Sequence, residues 1–311
     1  MTDTTELPLA AQAAIQWLPT GHEEPVDLAV IIVSWNVREA LIANLKALRE
    51  SRGTGTAELF VVDNASHDGS ADAVAAVFPE AQVIKNTENL GFGRANNQAI
   101  HRSHARHVLC LNPDMRVAPD ALALTIHYLD THADVGIVGG RLSLPDGSLN
   151  PSVRRFPDFW SQLAVLLKLH RVFPHVMDRY LWKGFDYLQE QDVDSVRGSY
   201  FALSRAALDR VSGFDERFFF WFEEVDLCKQ MQALHLRVVY VPAIRATDLV
   251  GQSFRQIKRF TAQRMFTRSM LHYFVKWHSL WQAVLLSCVR PFSLFGCFVI
   301  DIWNSVIRKN V

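Results

Sequence analysis

Four times in succession between residues 28 and 131, a continuous apolar run is followed by a segment with apolar positions three and four apart. LAVIIVS precedes VREALIANLKALRE, AELFVVD precedes GSADAVAAVF, AQVIKN precedes GFGRANNQAIHRS, and RHVLCLNPD precedes APDALALTIHYLDTH. The unbroken runs read as strands covered on both faces, and the other spacing reads as amphipathic helices. Consecutive strand-helix units predict a mostly parallel central sheet flanked by helices, an α/β class. VGIVGG would extend the sheet, and VRGSYFALS with SRAALDRV predicts another strand and helix.

In such a sheet, ligands bind outside the carboxyl ends of the strands. Those ends carry Ser34 and Asn36, Asp63 and Asn64, Asn86 to Gly93, and Asn112 to Asp114. Turn and cap formation explains any one of them. Four polar ends together, two with an aspartate, point instead to a shared ligand. Gly91 and Gly93 precede a helix start, where backbone N–H groups and the helix dipole favour an anion, and Arg94 lies in the same turn. Asp114 after a buried strand has the chemistry to hold Mg²⁺ or Mn²⁺. A glycine turn, an arginine and an acid describe a diphosphate site. GFGRAN lacks the third glycine of a dinucleotide fingerprint and follows the third strand, and neither a P-loop nor a G-x-S-x-G elbow is present.

The outer parts of the chain read differently. Residues 1–26 lack sustained periodicity and predict a flexible leader, without the basic region of a secretory signal. Residues 141 to 190, interrupted by four prolines, predict connections and loops. Cys110, Cys228, Cys288 and Cys297 stand at no metal-ligand spacing and read as reduced, buried thiols. Net charge is zero, yet residues 245 to 311 hold ten Lys or Arg against two acids. That basic end also carries an amphipathic segment, 254 to 278, and an apolar one, 280 to 303, which favours a membrane surface over nucleic acid. Arg290-Pro291 divides the apolar segment into halves too short to span, so a helix pair lying in the interface is expected; core helices packed on the domain are the alternative.

VIIVSWN, ELFVVDNASHDGS, NTENLGFGRANN, LNPD, SVRRFP, RGSYFALSRAAL and GFDERFFFWFEEVDLCKQ, spread in order over residues 27 to 278, together resemble the bacterial family 2 inverting glycosyltransferases, in particular the rhamnosyltransferase-like branch. The resemblance implies a GT-A (Rossmann-like) fold over residues 27–245, with a nucleotide-sugar half at 27–140, an acceptor half at 141–245, and a helical membrane-associating extension at 246–311. It also implies a nucleotide-sugar donor, most plausibly dTDP-rhamnose, a divalent metal, Mg²⁺ or Mn²⁺, and a polyprenyl-diphosphate-linked glycan acceptor. The expected place is the cytoplasmic face of the inner membrane. UDP-hexose or UDP-galactofuranose donors, and a non-catalytic nucleotide- or glycan-binding module, are the alternatives.

Carried onto this chain, the resemblance gives Ser34, Asn36, Asp63, Asn89, Gly91, Arg94, Asn97 and Asn112 to the donor, and Asp114 and Asp248 to the metal. Arg154, Gly198, Ser199, Trp221 and Asp226 fall to the acceptor. Asn112 stands where the family pattern has the first acid of its DxD motif, and Asp248 where many relatives carry a histidine ahead of Gly251 and Ser253. In FFFWFEEVDLC, Glu224 occupies the place of the base that takes the acceptor's proton, and Glu223 supports it. Helix capping by all three acids is the competing explanation.

Overall fold

The computed structural model describes residues 13–19, 25–249 and 256–307. Its first half runs β1 (Gln16–Trp17), β2 (Leu28–Ser34), α1 (Arg38–Arg49), β3 (Thr56–Asp63), α2 (Ser70–Val77), β4 (Gln82–Lys85), α3 (Phe92–Ile100), β5 (His107–Leu111), β6 (Met115–Val117) and α4 (Ala121–Thr131). There follow β7 (Val135–Ser143), β8 (Val153–Arg154), α5 (Phe159–Leu166), β9 (Gln191–Asp192), β10 (Ser195–Val196), β11 (Tyr200–Ser204) and α6 (Arg205–Leu208). The chain then continues through α7 (Glu223–Ala233), β12 (Arg237–Asp248), α8 (Arg259–Trp277) and α9 (Leu280–Ile307).

Ten strands form one sheet in the order β1-β3-β2-β5-β11-β7-β12-β6, with β4 also on β3 and β9 on β12. β2, β3, β4 and β5 are mutually parallel, whereas β11 runs antiparallel between β5 and β7. The alternation inside LAVIIVS explains why the run is wholly apolar. Leu28, Val30 and Ile32 join Leu41 and Leu45 of α1 in one core, while Ala29 and Ile31 join Ala95 and Ala99 of α3 in the other.

Three outer regions differ from the sequence expectation. Within the expected leader, β1 pairs parallel with β3, Ile15 is buried, and Trp17 packs edge-on to Phe78 at 4.8 Å. Two residues are too few to show a strand period. Between residues 159 and 177 the loops give way to α5 and two 3-10 turns, Leu169–Arg171 and Pro174–Met177. The expected helix break at Arg290-Pro291 is also absent, since α9 continues through Pro291. An interior proline costs about 3 kcal/mol, and contacts to α8 offset it. Arg290 donates to Thr267 Oγ1 (3.0 Å), Gln263 to Ser293 Oγ (3.0 Å), and Asp301 accepts from the Phe260 N–H at 2.9 Å.

The C-terminal helices share a core with the catalytic-type stretch. Phe218, Phe222 and Val225 pack with Met270, Tyr273 and Phe274 of α8 and Ala283 and Leu286 of α9. Of the cysteines, Cys110 and Cys228 are buried as expected, but Cys288 is exposed and Cys297 half-exposed, because both lie on α9 rather than under the sheet.

Candidate active site

Parallel β2, β3 and β5 end along one edge of the sheet, and a cleft of about 850 Å³, its open mouth included, lies there. Val33, Trp35, Asn64, Asn89, Asn112, Asp114, Arg197 and Asp248 line it. Ser34 and Asp63 stand opposite each other in register, just behind that lining. Both are buried, and Ser34 Oγ and Asp63 Oδ1 have no hydrogen-bond partner among the described residues. Orphaned buried oxygens at a cleft floor are the condition a ligand donor would relieve.

The loop over the cleft is held by a small amide network. Asn64 Oδ1 accepts from Asn86 Nδ2 (3.0 Å) and the Leu90 N–H (3.2 Å), while its Nδ2 donates to Asn89 Oδ1 and the Gly91 carbonyl, both at 3.1 Å. Gly91 adopts φ +82°, and a Cβ there would sit 2.2 Å from the Phe219 carbonyl oxygen. Only glycine fits.

This network corrects the expectation of free N–H groups for an anion at the glycine turn. The Gly91 N–H donates to Asn89 Oδ1 (2.9 Å), and the Phe92 N–H to the Phe219 carbonyl (3.1 Å). These two N–H groups therefore clamp the aromatic run. Arg94 lies outside the cleft lining, 3.6 Å from Glu216. Asn97 is also corrected: its amide donates to the Phe214 carbonyl (2.8 Å) and accepts from the Phe214 N–H (2.9 Å), a staple between α3 and the loop before α7. Asn36 ties strand-end loops together, accepting from the His67 N–H at 2.7 Å.

Asp114 follows the turn after β5 and Asp248 ends β12, and antiparallel pairing of β12 with β6 brings them to the same cleft. Both are buried. Asn150 Nδ2 donates to Asp248 Oδ2 at 3.0 Å, and Arg197 Nη1 stands 3.7 Å from the same oxygen. Among the described residues no cluster of three His, Cys, Asp or Glu suits a metal. Two carboxylates still match a hard cation that takes one or two protein ligands and completes its shell with phosphate oxygens and water. The donor set therefore fits Mg²⁺ or Mn²⁺. Gly251 and Ser253 lie outside the described residues.

A second hollow, of about 580 Å³, adjoins the first and shares Phe92, Asn112, Arg197 and Phe220 with it. Gly198, Ser199, Trp221, Glu223 and Glu224 complete its lining. Arg197, at the junction of the two, escaped the sequence reading although it precedes Gly198 directly; its place beside Asp248 depends on a contact 51 positions away. Arg154 lines neither hollow and turns back on its own backbone, donating to the Val153 carbonyl at 2.7 Å.

The five aromatics ahead of the acids divide their work. Phe218 and Phe222 are core, Phe219 meets Gly91, and Phe220 and Trp221 wall the hollows. Trp221 and Phe222 both sit at positive φ, 64° and 71°, a conformation costing about 1–2 kcal/mol each for such residues. The surrounding contacts hold it: Ser269 of α8 donates to the Phe220 carbonyl at 2.8 Å. The kink delivers Glu223 and Glu224 into the first turn of α7.

Glu223 is buried, with Oε2 unpartnered among the described residues, while Glu224 is half-exposed in the second hollow. Desolvation pushes the Glu223 carboxyl well above the ordinary range, and the adjacent Glu224 charge adds to it. Burial also raises Glu224, opposed by local backbone N–H groups and by Arg197. Two coupled carboxyls resist ionising together, which adds to the upward push on the deeper one, Glu223.

Asp226 is corrected from an acceptor-binding to an anchoring group. Fully buried, it accepts from Trp277 Nε1 (2.6 Å), Lys276 Nζ (2.8 Å) and Gln230 Nε2 (2.8 Å), pinning α7 to α8.

Residues 29–208 match the family described as "Glycosyl transferase family 2". The N-acetylglucosaminyl-diphospho-decaprenol L-rhamnosyltransferase of Mycobacterium tuberculosis is 28% identical over 202 residues, 60% of this chain; the chain spans 64% of that relative's length. Rhamnosyltransferase WbbL of Escherichia coli is 27% identical over 164 residues, 50% of this chain and 60% of the relative. Among solved structures, the mannosyltransferase PcManGT of Pyrobaculum calidifontis, in complex with GDP-Man and Mn²⁺, superposes with a TM-score of 0.55 at 17% identity. That match covers 93% of this chain and 78% of the other. GalNAc-T7 with UDP, GalNAc and Mn²⁺ gives a TM-score of 0.54 at 12% identity, over 72% and 43%. Both likenesses are to GT-A folds, and the expected architecture is borne out.

Proposed function

Since this chain belongs to glycosyl transferase family 2, we propose that it is a metal-dependent, inverting rhamnosyltransferase using dTDP-rhamnose and a polyprenyl-diphosphate-linked glycan. The observation that carries the reading is the pair of joined hollows, one holding Asp114 and Asp248, the other Glu224, with Arg197 in the wall of both. Donor diphosphate and acceptor hydroxyl need such adjoining compartments. The printed activities of the mycobacterial and Escherichia coli relatives support rhamnose, and the decaprenyl diphosphate in the first supports the lipid-linked acceptor.

In this reading Ser34 and Asp63 offer their orphaned oxygens to the nucleoside, with Asp63 accepting from a pyrimidine N–H. Asp114 and Asp248 would hold Mg²⁺ or Mn²⁺, which when bound stabilises the departing nucleoside diphosphate. Arg197 adds a fixed positive charge at the junction of the hollows. Glu224 accepts the proton of the acceptor hydroxyl as its oxygen attacks the anomeric carbon from the face opposite the diphosphate, inverting that centre. Phe220 and Trp221 limit water around the carboxylate. Glu223 stays protonated behind it.

The reading places the protein at the cytoplasmic face of the inner membrane. Leu280–Phe298 has a mean hydropathy of 1.3 and is only 22% buried, enough by length and composition alone to enter a bilayer. Glu224→Gln should lower transfer by about 10²–10⁴-fold, the usual worth of a general base, with donor affinity changed no more than about threefold. Unchanged turnover would remove Glu224 from the role.

A further inference from the structure

On the side of Trp221 away from the catalytic hollow, the α5 exit and the 3-10 turn after it face α8 and α9 across two adjoining depressions of about 850 and 820 Å³, open solvent included. Lys168, Arg171 and Arg259 line both. No acid lines either among the described residues. Asp301 accepts from the N–H of Phe260, the residue next to Arg259. Lys168 is set in place: its backbone is left-handed (φ 58°) and its ammonium donates to Gln263 Oε1 at 3.1 Å, whose amide nitrogen donates in turn to Ser293 Oγ.

Besides Ser293, Cys297, His170 and Gln263, large apolar side chains line the depressions. Leu166, Leu167 and Phe292 border one depression, Phe266 and Trp221 the other. Phe292 at the rim is 75% exposed, and beyond it Phe295 is 68%, Val172 71% and Phe173 63% exposed, an amount of large apolar surface that water-facing domains seldom leave open. Three cations lining the same two depressions beside large apolar side chains suit an anionic head covalently joined to a greasy chain. Trp221 is common to this site and to the hollow of Glu224.

We propose that the Lys168, Arg171 and Arg259 pocket binds the diphosphate of a prenyl-diphosphate acceptor, its chain lying along α9 and the Val172–Phe173 turn. The acceptor's sugar then crosses Trp221 to reach Glu224. This rests on the transferase reading above and adds the subsite that would present its acceptor. It also gives residues 159 to 177 a task.

The test uses the full chain in mild detergent with farnesyl diphosphate as probe, titrated by calorimetry. The parent should bind it and bind farnesol at least about tenfold more weakly. Arg171→Glu with Arg259→Glu should weaken the diphosphate by about tenfold or more, whereas Arg264→Glu with Arg268→Glu, exposed on the same helix but outside both depressions, should leave it unchanged. A melting temperature near the parent's certifies folding, and Arg171→Gln with Arg259→Gln replaces the first pair if reversal unfolds the chain. Equal weakening by both pairs would overturn the site in favour of general attraction to anionic lipid. Displacement of the probe by dTDP and Mn²⁺ would overturn it in favour of the donor cleft. Hydrolysis of dTDP-rhamnose by the parent is read separately, and its absence would defeat the transferase reading whatever the probe does.

Discussion

Replacing Gly91 by alanine attacks the joint between the donor loop and the aromatic run. An alanine Cβ would lie 2.2 Å from the Phe219 carbonyl oxygen, so reaching ordinary contact at 3.4 Å takes a shift of 1.2 Å (3.4 minus 2.2). That shift breaks the 3.1 Å bond from the Phe92 N–H, and a buried amide left unmatched costs about 1–3 kcal/mol. With φ at +82° and ψ at 180°, the backbone sits in a region nearly exclusive to glycine, adding about 1–3 kcal/mol for any other residue. The sum is about 4 kcal/mol, which for a domain of this size lowers the melting temperature by about 10 °C. The displaced carbonyl precedes Phe220, which walls both hollows, and Trp221, which walls the second. A misplacement of about 1 Å there should cost roughly 100-fold in turnover. Calorimetric melting and a donor-hydrolysis assay read the two effects. A variant melting within about 2 °C of the parent, with normal turnover, would refute the claim that this turn clamps the site.

Two further outcomes follow from the carboxylates. Because burial raises Glu223, its folded form keeps a proton that the unfolded chain loses, so stability falls as pH rises from the usual carboxylate range toward the folded value. Glu223→Gln removes that slope: its melting temperature should exceed the parent's increasingly as pH climbs, and a pH-independent difference would contradict the assignment. Asp226→Asn leaves Lys276 with Asp215 as its remaining charged partner and weakens three hydrogen bonds. It should destabilise by about 2–3 kcal/mol in urea unfolding, and a loss under about 1 kcal/mol would argue against the anchor.

The sheet was legible because strand and helix periods alternate cleanly between residues 28 and 132, and the strand-end polar residues follow from that alone. Asp114 was singled out by residue type after a strand and Asp248 and Glu224 by the family resemblance, and the fold brings the two aspartates to one cleft through the β12–β6 pairing. What local sequence could not carry was the use of each polar atom. Asn97 and Asp226 look like site residues, but partners 117 and 51 positions away occupy them. Arg197 had the converse fate, a plain arginine in the sequence whose neighbours make it central. Pro291 read as a break because propensity is local, whereas the contacts that keep α9 continuous through it come from α8.

Calorimetric titration of the purified chain with dTDP-rhamnose, with and without Mn²⁺, tests the central claim most directly. Saturable binding that depends on the metal and exceeds that of UDP-sugars is the predicted result. No binding across nucleotide sugars in either condition would contradict it, leaving the fold of a transferase without its reaction.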